Sequence, residues 1–281
     1  MTSWRELPLG DHVLAESPRW DAARRRLTWV EIVQGCVCWA DLDGAGRWRP
    51  ARRFRMPGLV TAAVPSPRGW WVAVGSGVVE LTRDDASVGP EDVVSPGFPE
   101  VRTNDLALDP AGRLVVSLFT EDRVSPRAAL VRLDPGSGVT TLLVSDVVTG
   151  NGIGFSPDGS RMYWVDTARG TLSAASYDPV EAAVGPTAVI VREPAPGRLD
   201  GLAVDGSGDV WLAVWDVGEV RRYGPDGTLR TTLATPVSRP SAVALVGSGL
   251  LVATTARPDL ARVDGHPAPD PEGRLYAYPL S

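Results

Sequence analysis

Asn151-Gly152-Ile153-Gly154-Phe155-Ser156 is answered further along the chain by Asp200-Gly201-Leu202-Ala203-Val204-Asp205. The same phrase occurs earlier as Glu16-Ser17-Pro18-Arg19-Trp20-Asp21 and as Asn104-Asp105-Leu106-Ala107-Leu108-Asp109. Each copy has a polar head and a hydrophobic residue four positions on (Trp20, Leu108, Phe155, Val204), then Asp or Ser before a turn and a strand. Two weaker copies begin at Val60 and Ser241, so six heads recur at intervals of about 40 to 50 residues. A repeat of that length built from short strands indicates a radial all-β architecture with one blade per repeat. Equivalent positions in such a fold converge on one axis, so Glu16, Asn104, Asn151 and Asp200 are expected to meet.

Working outward, each repeat divides into short strands separated by turn chemistry. Gly152 to Phe155, Arg161 to Asp166, Thr171 to Tyr177 and Thr187 to Arg192 read as four strands, with Ser156-Pro157-Asp158-Gly159 as the first turn. Val210 to Val214 and Glu219 to Tyr223 repeat the pattern in the next unit. Helical periodicity is absent over any useful length. The expectation is a six-bladed β-propeller with four-stranded blades, one domain spanning residues 1–281. The last strand, Arg274 to Tyr278, has no repeat after it, and the residues before Glu16 have no head. The N-terminal strand is therefore expected to join the last blade and close the ring. Residues Arg83 to Glu100 and Arg257 to Glu272 read as long loops.

Composition narrows the function classes. The 281 residues are 43% hydrophobic and 22% charged, ordinary for a soluble globular protein. The net charge of −6 argues against nucleic-acid binding, and no apolar run approaches a membrane span. The N-terminus lacks the basic and apolar regions of a secretory signal, so a cytoplasmic location is expected. All 28 basic residues are arginine, which excludes a lysine Schiff base. Cys36 and Cys38 sit two apart on a predicted strand and read as buried, unpaired thiols. The two histidines, His12 and His266, occupy no head position, which argues against a Ser-His-Asp nucleophile.

Four polar heads in register are unusual for a channel that only needs filling. Two of them, Glu16 and Asp200, are carboxylates that repel unless a cation or a shared proton compensates. Carboxylates and amide oxygens without His or Cys form the ligand set of a hard divalent ion. The alternative is four polar caps that satisfy turn amides.

Several phrases carry a family resemblance: Glu16-Ser17-Pro18-Arg19-Trp20, Arg102-Thr103-Asn104-Asp105, Asn151-Gly152 before Ser156-Pro157-Asp158-Gly159, and Asp200-Gly201. Together they resemble the SMP-30/gluconolactonase/luciferin-regenerating-enzyme family across essentially the whole chain. The resemblance implies a six-bladed propeller holding one divalent ion, with Ca²⁺ placed ahead of Zn²⁺, Mn²⁺ and Mg²⁺. By position it implies Glu16, Asn151 and Asp200 as metal ligands, and Arg102, Asn104 and Glu121 as substrate contacts. Phe119, in Ser117-Leu118-Phe119, and Trp215, in Trp215-Asp216, are bulkier than the small residues usual at these places. They either shape the pocket for something other than a plain sugar lactone or pack under loops.

The expected activity is metal-dependent opening of a lactone or related cyclic ester. The ion would polarise the carbonyl, and Asp200 would orient or deprotonate water. Arg102, two residues before Asn104, is expected to point with it into the channel mouth, the alternative being an ion pair with Asp105 or Glu121. Two other readings remain open: the same site acting on another ester, a phosphotriester or a biosynthetic intermediate, and a propeller serving only as a binding scaffold. The partner is a small molecule in the enzymatic readings, and the sequence leaves the oligomeric state open.

Overall fold

A computed structural model describes residues 3–82, 94–247, 249–258 and 272–280. Among these residues the chain forms strands and no helix. After β1 (Arg5–Glu6), blade 1 is β2 (Ala15–Asp21), β3 (Arg26–Glu31), β4 (Cys36–Asp41) and β5 (Arg52–Arg55). Blade 2 is β6 (Val60–Pro65), β7 (Gly69–Val74) and β8 (Gly77–Thr82). Blade 3 is β9 (Val101–Leu108), β10 (Leu114–Thr120), β11 (Ala128–Leu133) and β12 (Thr140–Val147). Blade 4 is β13 (Gly150–Phe155), β14 (Arg161–Asp166), β15 (Thr171–Asp178) and β16 (Ala183–Arg192). Blade 5 is β17 (Arg198–Val204), β18 (Val210–Trp215), β19 (Glu219–Tyr223) and β20 (Leu229–Ala234). Blade 6 is β21 (Pro240–Val246), β22 (Leu250–Thr255) and β23 (Leu275–Pro279), completed by β1.

The molecule is thus a six-bladed β-propeller. Five blades show four antiparallel strands; blade 2 shows three, with Val94 bridging the outer side of β8. Most of the two expected loops, residues 83–93 and 259–271, lies outside the described residues, as does His266.

Ring closure follows the expected scheme. Arg5 pairs with Ala277 and Glu6 with Tyr276, so β1 covers the free edge of β23. Leu7 and Leu9 then enter the apolar layer between blades 6 and 1, beside Trp29, Val252 and Leu275. Ser241, a weak head, serves the same join: its hydroxyl donates to Ala15 O at 2.6 Å. Similar layers lie between the other blades, as where Tyr163, Val165 and Leu172 meet Leu199, Leu212 and Val214. Burying each such side chain contributes about 1.5–3 kcal/mol, so the stabilisation lies between neighbouring blades and the axis is free to carry polar groups. Cys36 and Cys38 belong to these layers and are free thiols.

The innermost strands share one irregularity that decides where the heads point. In all six, the ladder to the second strand slips at the head: between Glu16 and Arg19, Val60 and Ala62, Gly150 and Ile153, Leu199 and Leu202, and Pro240 and Ala242, and opposite Val116/Leu118 in blade 3. A bulge of this kind re-aims side chains out of strict alternation. It turns the head toward the axis at one mouth. The hydrophobic residues four positions on gather at the opposite mouth, where Trp20, Val64, Leu108, Phe155, Val204 and Leu245 line one cavity of about 380 Å³.

Candidate active site

Glu16, Asn104, Asn151 and Asp200 line a single cavity of about 330 Å³ at the other mouth, together with Arg102, Asp105, Phe119 and Trp215. Their strands come from blades 1, 3, 4 and 5. The glycines after two of the heads allow the inner strands to approach. A Cβ on Gly152 would lie 2.6 Å from Leu202 N and 2.9 Å from Asp200 O. A Cβ on Gly201 would meet the Ala242 methyl at 2.2 Å. Any side chain at either place would push neighbouring blades apart at the level of the polar heads.

The hydrogen bonds lock the heads to one another. Asn151 Nδ2 donates to the Asp200 carboxylate and to Thr167 Oγ1, the latter at 3.1 Å. The Thr167 hydroxyl in turn donates a hydrogen bond to Leu199 O at 2.7 Å. Asn104 Nδ2 donates to Gly150 O at 2.9 Å, tying blade 3 to blade 4. Glu16 accepts the Ser17 amide at 2.8 Å, in a turn where Ser17 has φ 48°.

Both carboxyl groups hold protons more tightly than an ordinary acid. Burial raises Glu16 most, and the nearby Asp200 charge raises it further. Burial likewise raises Asp200, to about 7, with Asp105 adding to the effect while the Asn151 hydrogen bond opposes it. The arginines whose charges reach this pair are committed elsewhere: Arg19 to Asp105 at 2.8 Å, and Arg198 to Asp216.

Asp105 is a site residue that the repeat pattern overlooked. Strict alternation would turn it away from Asn104, but the blade 3 bulge brings both to the cavity. It accepts from Arg19 Nη2 at 2.8 Å, Ser17 Oγ at 3.3 Å and the Leu106 amide at 2.8 Å. The signal was present: Asn104-Asp105 is a doubled polar head, where the other strong heads are followed by Gly or Ser.

Arg102 enters the cavity as its spacing from Asn104 implied, and it takes neither of the alternative ion-pair partners. Asp105 belongs to Arg19, and the Arg102 guanidinium lies 3.8 Å over the Phe119 ring. Burial lowers Arg102 to about 10, and the neighbouring Arg123 pulls in the same direction. Glu121, which the resemblance placed against substrate, is exposed and is not among the lining residues; its charge is nonetheless felt by Arg102. Phe119 and Trp215 both form cavity wall. His12 stands apart, buried with its ring edge-on to Trp29 and 3.6 Å from Glu31.

The donors fit a hard divalent cation: the buried Asp200 and half-buried Glu16 carboxylates without a committed counter-charge, flanked by two amides, with no His or Cys in the lining. Among the described residues no three His, Cys, Asp or Glu side chains come together as a metal-binding group, at this mouth or elsewhere, so a ligand set here consists of two carboxylates completed by amide oxygens.

Comparison with known proteins identifies the family and the fold. The family model for the SMP-30/gluconolactonase/LRE-like region matches residues 14–257. A pentonolactonase of Haloferax volcanii is 33% identical over 254 residues, covering 88% of this chain and 82% of that protein. An L-arabinolactonase of Azospirillum brasilense is 32% identical, with the same coverage. In fold, a calcium-binding regucalcin of Agrobacterium tumefaciens superposes with a TM-score of 0.83 at 24% identity, covering 99% of this chain and 93% of that one. Six bladed repeats, a ring of polar heads at one mouth and a family match across most of the chain converge on one assignment: this protein belongs to the SMP-30/gluconolactonase/LRE-like family.

Proposed function

We propose that the protein, acting as one propeller domain, is a lactonase that opens a sugar-type lactone in the cavity bounded by Glu16, Asn104, Asn151 and Asp200. The observation that carries this reading is the pair of carboxylates at the channel mouth, Asp200 buried and Glu16 half-buried, held beside amides and without a committed cation. Lactonase activity in two relatives above 30% identity supports it.

Glu16, Asn151 and Asp200 would hold a divalent ion, with Ca²⁺ first on the strength of an all-oxygen donor set. When bound, the ion supplies Lewis-acid polarisation of the lactone carbonyl. The chain's own groups do the rest. Asp200 orients the attacking water and accepts its proton on a carboxylate oxygen. The water oxygen bonds to the carbonyl carbon, the ring C–O bond breaks, and the proton passes to the departing alkoxide, leaving a hydroxy acid. Arg102 and Asn104 hydrogen-bond the substrate's oxygens and fix the ring against the floor of the cavity. The two buried free thiols support a reducing, cytoplasmic location.

A panel of aldono-lactones, read by a pH indicator with chelator-treated protein before and after Ca²⁺, Mn²⁺ or Zn²⁺, tests the reading. Hydrolysis restored by an ion and lost in Asp200→Asn is the expected result. Hydrolysis that persists unchanged in Asp200→Asn removes Asp200 from the chemistry.

A further inference from the structure

Two aromatic rings in the cavity wall each carry a pair of arginines. Phe119 has Arg102 at 3.8 Å and Arg123 at 5.9 Å from its ring centre. Trp215 has Arg198 at 5.8 Å and Arg239 at 5.5 Å. All four arginines line the same cavity as the polar heads.

The two pairs are not equivalent. Arg198 and Arg239 grip opposite oxygens of Asp216, Arg239 Nε at 3.0 Å, so that pair has a counter-charge and clamps Trp215. Around Phe119 two acids are turned to other donors, while the exposed Glu121 acts on Arg102 only through its charge, outside ion-pair distance. Asp122 accepts the Val124 and Ser125 amides at 3.0 Å each, and Glu100 pairs with Arg127. Among the described residues neither Arg102 nor Arg123 has a carboxylate partner, and Arg102 makes only a long 3.4 Å bond to Thr103 O. Two guanidinium groups on one ring repel, and an aromatic face returns only part of that cost. Their planar forks match the geometry of a carboxylate, phosphate or sulfonate.

We propose that Arg102 and Arg123 form a seat for an oxyanion, so that the preferred lactone carries a second, anionic group remote from its ring carbonyl. This rests on the lactonase reading and names its substrate class. With the carbonyl at the polar heads and the anion on the Phe119 wall, one cavity holds both ends of the molecule.

The test compares 6-phosphoglucono-1,5-lactone and a glucaro-lactone, which carry a phosphate and a carboxylate, with neutral glucono-1,5-lactone. The expected kcat/KM preference for a charged lactone is at least about tenfold at low salt, falling in 0.5 M NaCl as screening predicts. The larger of the two ratios identifies which anion is preferred. Arg123→Gln and Arg102→Gln should each bring that ratio toward one. Equal turnover of charged and neutral lactones by the unaltered protein, or a ratio untouched by both substitutions, overturns the proposal. Should no lactone be hydrolysed, the lactonase reading fails separately. Calorimetric binding of 6-phosphogluconate against gluconate then decides the seat: tighter binding of the phosphate that is lost in Arg123→Gln supports it, and equal binding overturns it.

Discussion

Asn151 donates its side-chain amide to the Asp200 carboxylate across the join between blades 4 and 5, and Thr167 braces the amide from behind. The contact is possible because Gly152, the next residue, presents no side chain where it passes the backbone of Asp200 to Leu202. A head residue and the glycine after it thus act as a unit: one supplies the oxygen chemistry, the other the strand separation.

Gly152→Ala should therefore damage the site without altering a single polar group. Its Cβ would fall 2.6 Å from Leu202 N, a backbone atom that cannot rotate away. Overpacking of this kind costs about 1–3 kcal/mol. Urea denaturation should show that loss, accompanied by a weaker stabilising response to Ca²⁺. Unchanged stability together with an unchanged cation response would contradict the close-approach argument.

The pH dependence of stability has a definite sign at Asp200. Burial raises its pKa to about 7 in the folded, ion-free protein, so the native state binds this proton more tightly than the unfolded chain does. The resulting contribution is fully present below the ordinary carboxylate value and is lost as pH rises through about 7. Asp200→Asn has no such proton. The stability of the unaltered protein relative to this variant, measured in chelator, should fall as pH rises from about 4 to about 7. A relative stability that climbs over this range would show that Asp200 is ionised at little cost.

Arg102→Ala should separate substrate binding from ion binding. A charge-assisted hydrogen bond contributes about 1.5–3 kcal/mol, so kcat/KM should fall roughly tenfold to a hundredfold. The thermal gain with Ca²⁺ should be retained, because the proposed ligands lie on other residues. Loss of the cation response along with activity would mean that Arg102 holds the structure of the cavity.

The fold was readable because period and turn chemistry agreed, and the strands Arg161–Asp166 and Glu219–Tyr223 match their predicted limits. Strand β16 begins at Ala183, four residues before the predicted Thr187, because Gly185-Pro186 reads as a breaker. On an exposed outer strand the missing proline donor is tolerated, so the strand continues through it. Convergence of Glu16, Asn104, Asn151 and Asp200 was legible from their common place in the repeat. Asp105 and the arginine pairs were not. Asp105 reaches the cavity through a bulge that breaks alternation, and Arg123, at φ 55°, reaches it from the turn after β10. Ser241 shows the opposite case, a head residue whose hydroxyl is spent on Ala15 at the ring closure.

The central claim, that Glu16, Asn151 and Asp200 together hold a divalent ion, is tested most directly by thermal unfolding of chelator-treated protein titrated with Ca²⁺, Mn²⁺ and Zn²⁺. An ion bound only by the folded state stabilises it by about 2.7 kcal/mol at a hundredfold excess over Kd. A concentration-dependent rise in Tm is predicted for the unaltered protein, with most of it absent in Asp200→Asn. A Tm that none of the three ions moves, or a rise of the same size in Asp200→Asn, would contradict the account.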